Sequence, residues 1–537
     1  MEFYVMNHAG EKEGPLTVEQ IKGYLNMGHF QYSDMAWRDG EPDWKPLSEF
    51  AEFPQRTYRT PNYKGMTYNK GAVTKKKKKS SLPTIITLVV VLAVAGGVGW
   101  YFWDKKQKKL KEEAETAARD AAAKAEAARK AWTPQTLQEL NDWYKEPSGE
   151  NGATFFVQAA DAIEVANNEK SSGSLPFFGK ARLPSIGSPV QTSVKNIVGS
   201  FVEKNKKALD ALAKGAQCEG SRYPIDLTKG SSTPLPHLSK VKQAAEFAAL
   251  YVLDQAEDHQ GANAGQGVLM ALAAGRSLDN EPLLISQLTR AACQAVAVET
   301  LEQALNRVAV PEEILKKLQE AFGRAADTEA AGTGFNRGLV GERDFGMATF
   351  DQPQDQLLKG LYPGNTAPKI DAATQEKIFA NLPDQRKYFE ETINQLLEAR
   401  KEAFPARIKA DDSVGPRVNE AQSKGYVVTA MMVPSIARVS RAEAASVARL
   451  RLGQTAIALQ QFYNSNGNKF PDALTELSPK FIGSVPNDPF DGQPLRYRKA
   501  GAGFLLYSIG PDLKDDGGVR RAGSDDVMFI VASVPKA

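Results

Sequence analysis

The chain has 537 residues, and 67 Lys and Arg against 64 Asp and Glu leave a net charge of +3. So near-neutral a balance excludes a global nucleic-acid footprint, and two cysteines exclude a disulfide framework. The length allows three or four domains.

Residues 1–53 are expected to form a compact α+β unit. EFYVM reads as a strand and AGEKEGP as a turn. LTVEQIKGYLNMG reads as an amphipathic helix, with Thr17 as its cap, Gln20 three residues on and Gly28 at its end. DMAWRDGEPDWKPL then gives a strand, a turn region and a second Trp. The aromatic pair Phe3-Tyr4, then Gly14-Pro15, Gly28, Trp37, Gly40 and Trp44 together resemble the bacterial GYF-like domain family. The GYF tripeptide itself is absent, so the resemblance is to the divergent bacterial branch. It implies capture of a proline-rich peptide or protein segment, with Tyr4, Trp37 and Trp44 as the peptide-binding residues. A polyproline II helix is preformed, and flat rings pack well against its faces. The competing assignment makes these rings the core of a domain of about fifty residues, which needs large side chains. For Trp37, core is favoured over ligand contact.

Residues 54–81 are polar, with scattered Pro and Gly and no periodicity, and read as a flexible basic linker ending in Lys75 to Lys79. Residues 82–103, LPTIITLVVVLAVAGGVGWYFW, carry no charge and close on Trp100, Tyr101 and Trp103. At about 1.5 Å per residue a helix here would span a hydrocarbon core of roughly 30 Å, which predicts one transmembrane helix. The lysine block ahead of it places the N-terminus in the cytoplasm and the C-terminal region outside a bacterial inner membrane. Residues 104–131, rich in Ala, Lys and Glu, predict a helical stalk. Its stripe of Leu110, Ala114, Ala117, Ala121, Ala125 and Ala128 suits weak, coiled-coil-like self-association.

Residues 132–440 read as mainly helical, with candidate helices at 239–257, 262–277, 284–308, 312–326, 373–404 and 418–450. No phosphate loop, zincin motif or nucleophile elbow occurs here, and the histidines of the region are His237 and His259. Asp254, Asp258 and His259 read as a solvated helix end ahead of a metal site. Phe177 and Phe178 read as a plug over the core, and Cys293 as a buried free thiol, with pairing to Cys218 left open.

Residues 441–537 change pattern. A helix with an apolar face at Ala445, Ala448, Leu452, Ala456, Leu459 and Tyr463 precedes short strands separated by turn signals. Tyr463, then Asn466-Gly467-Asn468-Lys469-Phe470-Pro471, Pro486 with Asp488-Pro489, and Tyr507-Ser508-Ile509-Gly510-Pro511-Asp512 resemble the globular part of type II secretion major pseudopilins. The chain lacks that family's polymerising N-terminal segment at this helix, so the resemblance implies a grafted α+β head. It further implies that the acidic loop binds calcium through Asp512, Asp515, Asp516, Asp525 and Asp526, since calcium takes six to eight oxygens.

The expected fold is therefore multidomain: a small α+β GYF-like domain, one transmembrane helix, a helical stalk, a mainly α middle region and an α+β pseudopilin-like C-terminal domain. The expected function is a membrane-anchored adaptor or scaffold, not an enzyme. Its partners would be a proline-rich segment, the lipid bilayer and envelope or secretion components, with no nucleic acid. The alternatives are an extracytoplasmic hydrolase-type enzyme in the helical region and a purely structural envelope protein.

Overall fold

The computed structural model describes residues 2–6, 12–18, 21, 34–38, 44–50 and 52 near the N-terminus, then 134–144, 147, 149–361, 371–412, 414–433, 439–519 and 525–535. They belong to one unit built from 1–53 and 132–537, while 54–131 form a second unit outside the described residues.

The N-terminal sheet contains β1 (Glu2–Met6), β2 (Lys12–Thr17), β3 (Met35–Arg38) and β4 (Lys45–Pro46), in the order β2-β1-β3-β4. Every pairing is antiparallel. Side chains alternate across a strand, so Phe3, Val5 and Ala36 turn inward together. Leu16, Ile21, Leu47 and Phe50 complete this core, and Phe50 meets Phe3 edge-on at 5.1 Å. Gly14-Pro15, expected in a turn, lies inside β2.

The body is helical. Its principal elements are α1 (Gly152–Asp161), α2 (Thr192–Lys204), α3 (Lys206–Gln217), α4 (His237–Glu257), α5 (Gly261–Arg276), α6 (Leu284–Arg307), α7 (Glu312–Ala330), α8 (Thr333–Phe350), α9 (Leu382–Ala399) and α10 (Val439–Ser465). The sequence expectation did not include α1, α2, α3 or α8. In α8, Gly334, Gly338 and Gly341 recur at helical spacing and read locally as breakers. In the fold they form a groove: a Cβ on Gly338 would stand 3.0 Å from the Leu284 backbone, and one on Gly341 only 1.7 Å from the Pro282 carbonyl. Close approach of backbones requires these glycines. The predicted helix over 373–404 is broken at Asn381, whose φ is 60°, with Pro383 opening the next turn.

α10 is the central helix. The expectation of a single apolar face underestimates its burial, because Leu452 through Gln461 are buried almost all round apart from Gln454. Helices α6 and α7 pack on it, as does a C-terminal sheet of β5 (Arg496–Ala500), β6 (Gly503–Ser508) and β7 (Val527–Val531), in that order. Phe504, Leu506, Phe529 and Val531 join the core of the body, which runs unbroken across residue 440. The opposite face, with Ala500, Leu505 and Ile530, shares one apolar cluster with Ile186 and the N-terminal core.

The membrane expectation is corrected here. Among the described residues, no helix is long and apolar enough to cross a membrane. The predicted span 82–103, its linker and its stalk lie outside those residues. The N-terminal domain and the C-terminal sheet contribute to one apolar cluster, and surfaces in contact cannot face opposite compartments. The placement with a cytoplasmic N-terminus and an exported C-terminal region therefore fails. The described architecture is mainly helical, with a small sheet near each end.

Two smaller expectations meet the structure directly. Phe178 stacks 5.2 Å from Phe201, and with Phe177 it packs against the body core. Cys218 and Cys293 are both free; Cys293 is buried in α6, where desolvation pushes its thiol up to about 12.

Candidate functional site

Tyr4, Trp37 and Trp44 come from three different strands or strand ends, and the sheet register sets them in a row. Tyr4 pairs directly with Trp37 across β1 and β3. Met35 pairs with Pro46 and Ala36 with Lys45, so the same register carried one residue further sets Trp44 opposite Trp37. Directly opposed residues in an antiparallel pair project on one face. That face is opposite to Phe3, Val5 and Ala36, because each of these neighbours Tyr4 or Trp37 in sequence. The Tyr4 and Trp37 rings lie 6.1 Å apart at 38°, and all three residues are half-buried. Trp37, favoured as core from sequence, thus lies on the outer face.

The β2 side of this row is shaped by Gly14-Pro15. Phe3 pairs with Leu16 but Val5 with Glu13, so two residues of β2 oppose Tyr4 alone. This is a β-bulge. Gly14 has φ +139°, and a Cβ there would stand 2.6 Å from the Phe3 carbonyl and 2.8 Å from Tyr4 Cδ1. Only glycine fits beneath the Tyr4 ring. Sequence reading found this dipeptide without its role; the signal was a Gly-Pro inside a run otherwise readable as a strand. Gly28, Gly40 and most of the expected helix between Thr17 and Gly28 lie outside the described residues.

On the core side, Arg38 reaches over Phe3 and Phe50, 5.3 Å from each centroid, and pairs with Glu52 at 2.6 Å. Lys45 lies 4.4 Å over Phe50. These cations close the small core around its rings.

Of the C-terminal acidic residues named from sequence, Asp512, Asp515 and Asp526 accept from backbone amides of their own loop. Asp526 accepts from the Asp516 and Gly518 amides, and Asp515 from the Gly517 amide. Asp512 accepts from the Lys514 amide, and Asp525 is exposed. These are turn-closing bonds. A fixed cation already stands beside the loop: Arg496 is 2.7 Å from Asp488 and 3.5 Å from Asp515, and also pairs with Asp491. Among the described residues, no group of three or more His, Cys, Asp or Glu is placed to hold a metal ion. Asp258, from the other acidic run, pairs with Lys195 at 2.9 Å.

Asp488 has a different role. Fully buried, it accepts from the Phe490 and Ile509 amides and the Ser508 hydroxyl, at 2.9–3.0 Å. It thereby ties the Pro486–Pro489 segment to the Tyr507–Asp512 strand end.

Residues 3–53 match the family described as GYF domain 2. No curated protein and no solved structure matches the chain.

Proposed function

We propose that the chain is a non-catalytic adaptor whose N-terminal module captures a proline-rich segment along the row Tyr4–Trp37–Trp44. The outward pairing of Tyr4 with Trp37 carries this reading. A preformed polyproline II ligand loses little entropy on binding, and a row of half-exposed rings offers the grooves into which its prolines pack. The match of residues 3–53 to a family of peptide-binding modules supports the same conclusion. The helical body serves as the rigid mount, since the module's core is continuous with Ile186, Leu505 and Ile530. The C-terminal α+β unit is read as pseudopilin-like in form. The meeting of its two motif segments at Asp488 supports that reading.

The test is a titration of the full chain with a proline-rich peptide and with a composition-matched peptide in which alanine replaces proline. Only the first binds, followed by tryptophan fluorescence. Trp37→Ala weakens it by about 2 kcal/mol or more, the scale of a central aromatic anchor, while far-UV circular dichroism is unchanged. Equal affinity for both peptides, or unchanged affinity in Tyr4→Ala, Trp37→Ala and Trp44→Ala alike, would exclude the proposal.

A further inference from the structure

Far from the aromatic row, the body contains a cavity of about 590 Å³ between α3, α5, α6 and α7. Its volume falls in the range of small-molecule sites, roughly 300–1,000 Å³. Ala273 on α5 and Ala321 and Ala325 on α7 line it. These small side chains leave open a space that leucines would fill. Leu269 on α5 and Tyr251 on α4 supply larger apolar surface.

The charged lining is unbalanced. Arg276, Arg290, Lys317 and Arg324 face two acids, Asp279 and Glu320. Both acids are already engaged, Asp279 with Arg290 at 3.0 Å and Glu320 with Arg324 at 3.9 Å. Arg276 donates through Nη2 to the Ala216 and Cys218 carbonyls, which engages that nitrogen without neutralising the charge. Lys317 is exposed and has no ion pair among the described residues. At the buried side stand Arg290, 1% exposed, and Gln294, 4% exposed. Arg290 Nε has no hydrogen-bond partner there. Arg290 is itself neutralised by Asp279 and by Glu329 at 2.5 Å, so the unanswered charge of the lining lies on Arg276 and Lys317.

We propose that this cavity binds a small organic anion: an apolar body against the alanine-lined walls of α5 and α7, with a carboxylate held by the excess cations. The occupant is fixed by chemistry. An apolar molecule without charge leaves Arg276 and Lys317 unanswered, and an organic cation is repelled by them.

The experiment is calorimetric titration of the full chain with decanoate below its micelle concentration, with decylammonium of equal chain length as the opposite-charge probe. Decanoate binds saturably at one site and decylammonium does not. Lys317→Glu, at an exposed position that cannot unfold the body, weakens decanoate by about tenfold or more, the loss of one charge-assisted contact. Ala321→Phe, which fills the cavity from its wall, removes binding while the thermal transition is retained. Comparable affinity for the two probes, or decanoate binding indifferent to Lys317→Glu, overturns the proposal. If Ala321→Phe loses its transition, the Lys317→Glu result alone decides.

Discussion

Glu329 lies fully buried on α7 with its Oε2 2.5 Å from Arg290 Nη2. Loss of hydration outweighs the attraction of Arg290, and its carboxyl is pushed up to about 7. The sign of the pH effect follows. An unfolded glutamate titrates near 4.3, so between about 4.3 and 7 the folded chain holds the extra proton. The stabilisation is complete below that window and is lost as pH rises through it. Glu329→Gln mimics the protonated form and does not titrate. In urea denaturation from pH 4.5 to 8, the wild-type advantage over Glu329→Gln is expected to shrink or reverse as pH rises. Parallel curves would show that the group does not titrate in this window. At this scale the sequence exposed part of the answer. Arg290 stands out in the apolar run LTRAACQAVAV, but its partners Asp279 and Glu329 come from other segments, and no local pattern names them.

Among the secondary elements, the informative contact is the edge of the C-terminal sheet. β7 is an edge strand, and helix α6 seals it. Glu302 accepts from the Ile530 amide at 2.6 Å, and Asn306 accepts from the Ala532 amide at 2.8 Å and donates to the Ile530 carbonyl at 2.7 Å. The two residues are four apart, so they share a helix face. An unsealed edge would be a template for aggregation. Asn306→Ala orphans two backbone groups, with an expected cost of about 1–3 kcal/mol for each one left buried. Amide exchange at Ala532 should accelerate ahead of that at Leu505 in the sheet centre. Exchange that is uniform across the sheet would assign the edge no role of its own. The strands here were legible from turn tokens: Gly501 takes φ 59° in the β5–β6 hairpin, as its place in Gly501-Ala502-Gly503 suggests. What covers their edge was not legible, because Glu302 and Asn306 lie more than 220 residues from the strand they bind.

Across the whole molecule, residues on both sides of position 440 share one core. α10 packs on α6 and α7 as well as on the sheet, and Leu301 and Phe322 belong to the same cluster as Leu452, Ala456 and Phe504. A fragment of residues 441–537 would expose the face of α10 that those helices cover. It is expected to lack cooperative thermal unfolding and a dispersed proton spectrum, while residues 132–537 retain both. A well-folded fragment would show instead that the C-terminal unit is self-sufficient. The N-terminal domain is likewise continuous with the outer sheet face, which is why a layout with the two on opposite sides of a membrane failed.

The sequence by itself determined the features that local spacing encodes. EFYVM marked a strand, the three- and four-residue rhythm marked α4 through α7, and glycines and prolines located the turns of the C-terminal strands. The tertiary structure decided everything that depends on which surfaces meet. It turned Trp37 outward beside Tyr4, made a bulge of Gly14-Pro15, and packed Gly338 and Gly341 of α8 against the Pro282–Leu284 backbone. It also set Arg496 among Asp488, Asp491 and Asp515, and left a cation-rich cavity beside Arg290. The reason is physical. Backbone geometry repeats every two or 3.6 residues and is written along the chain, whereas burial, ion pairing and edge protection are settled between segments far apart in it.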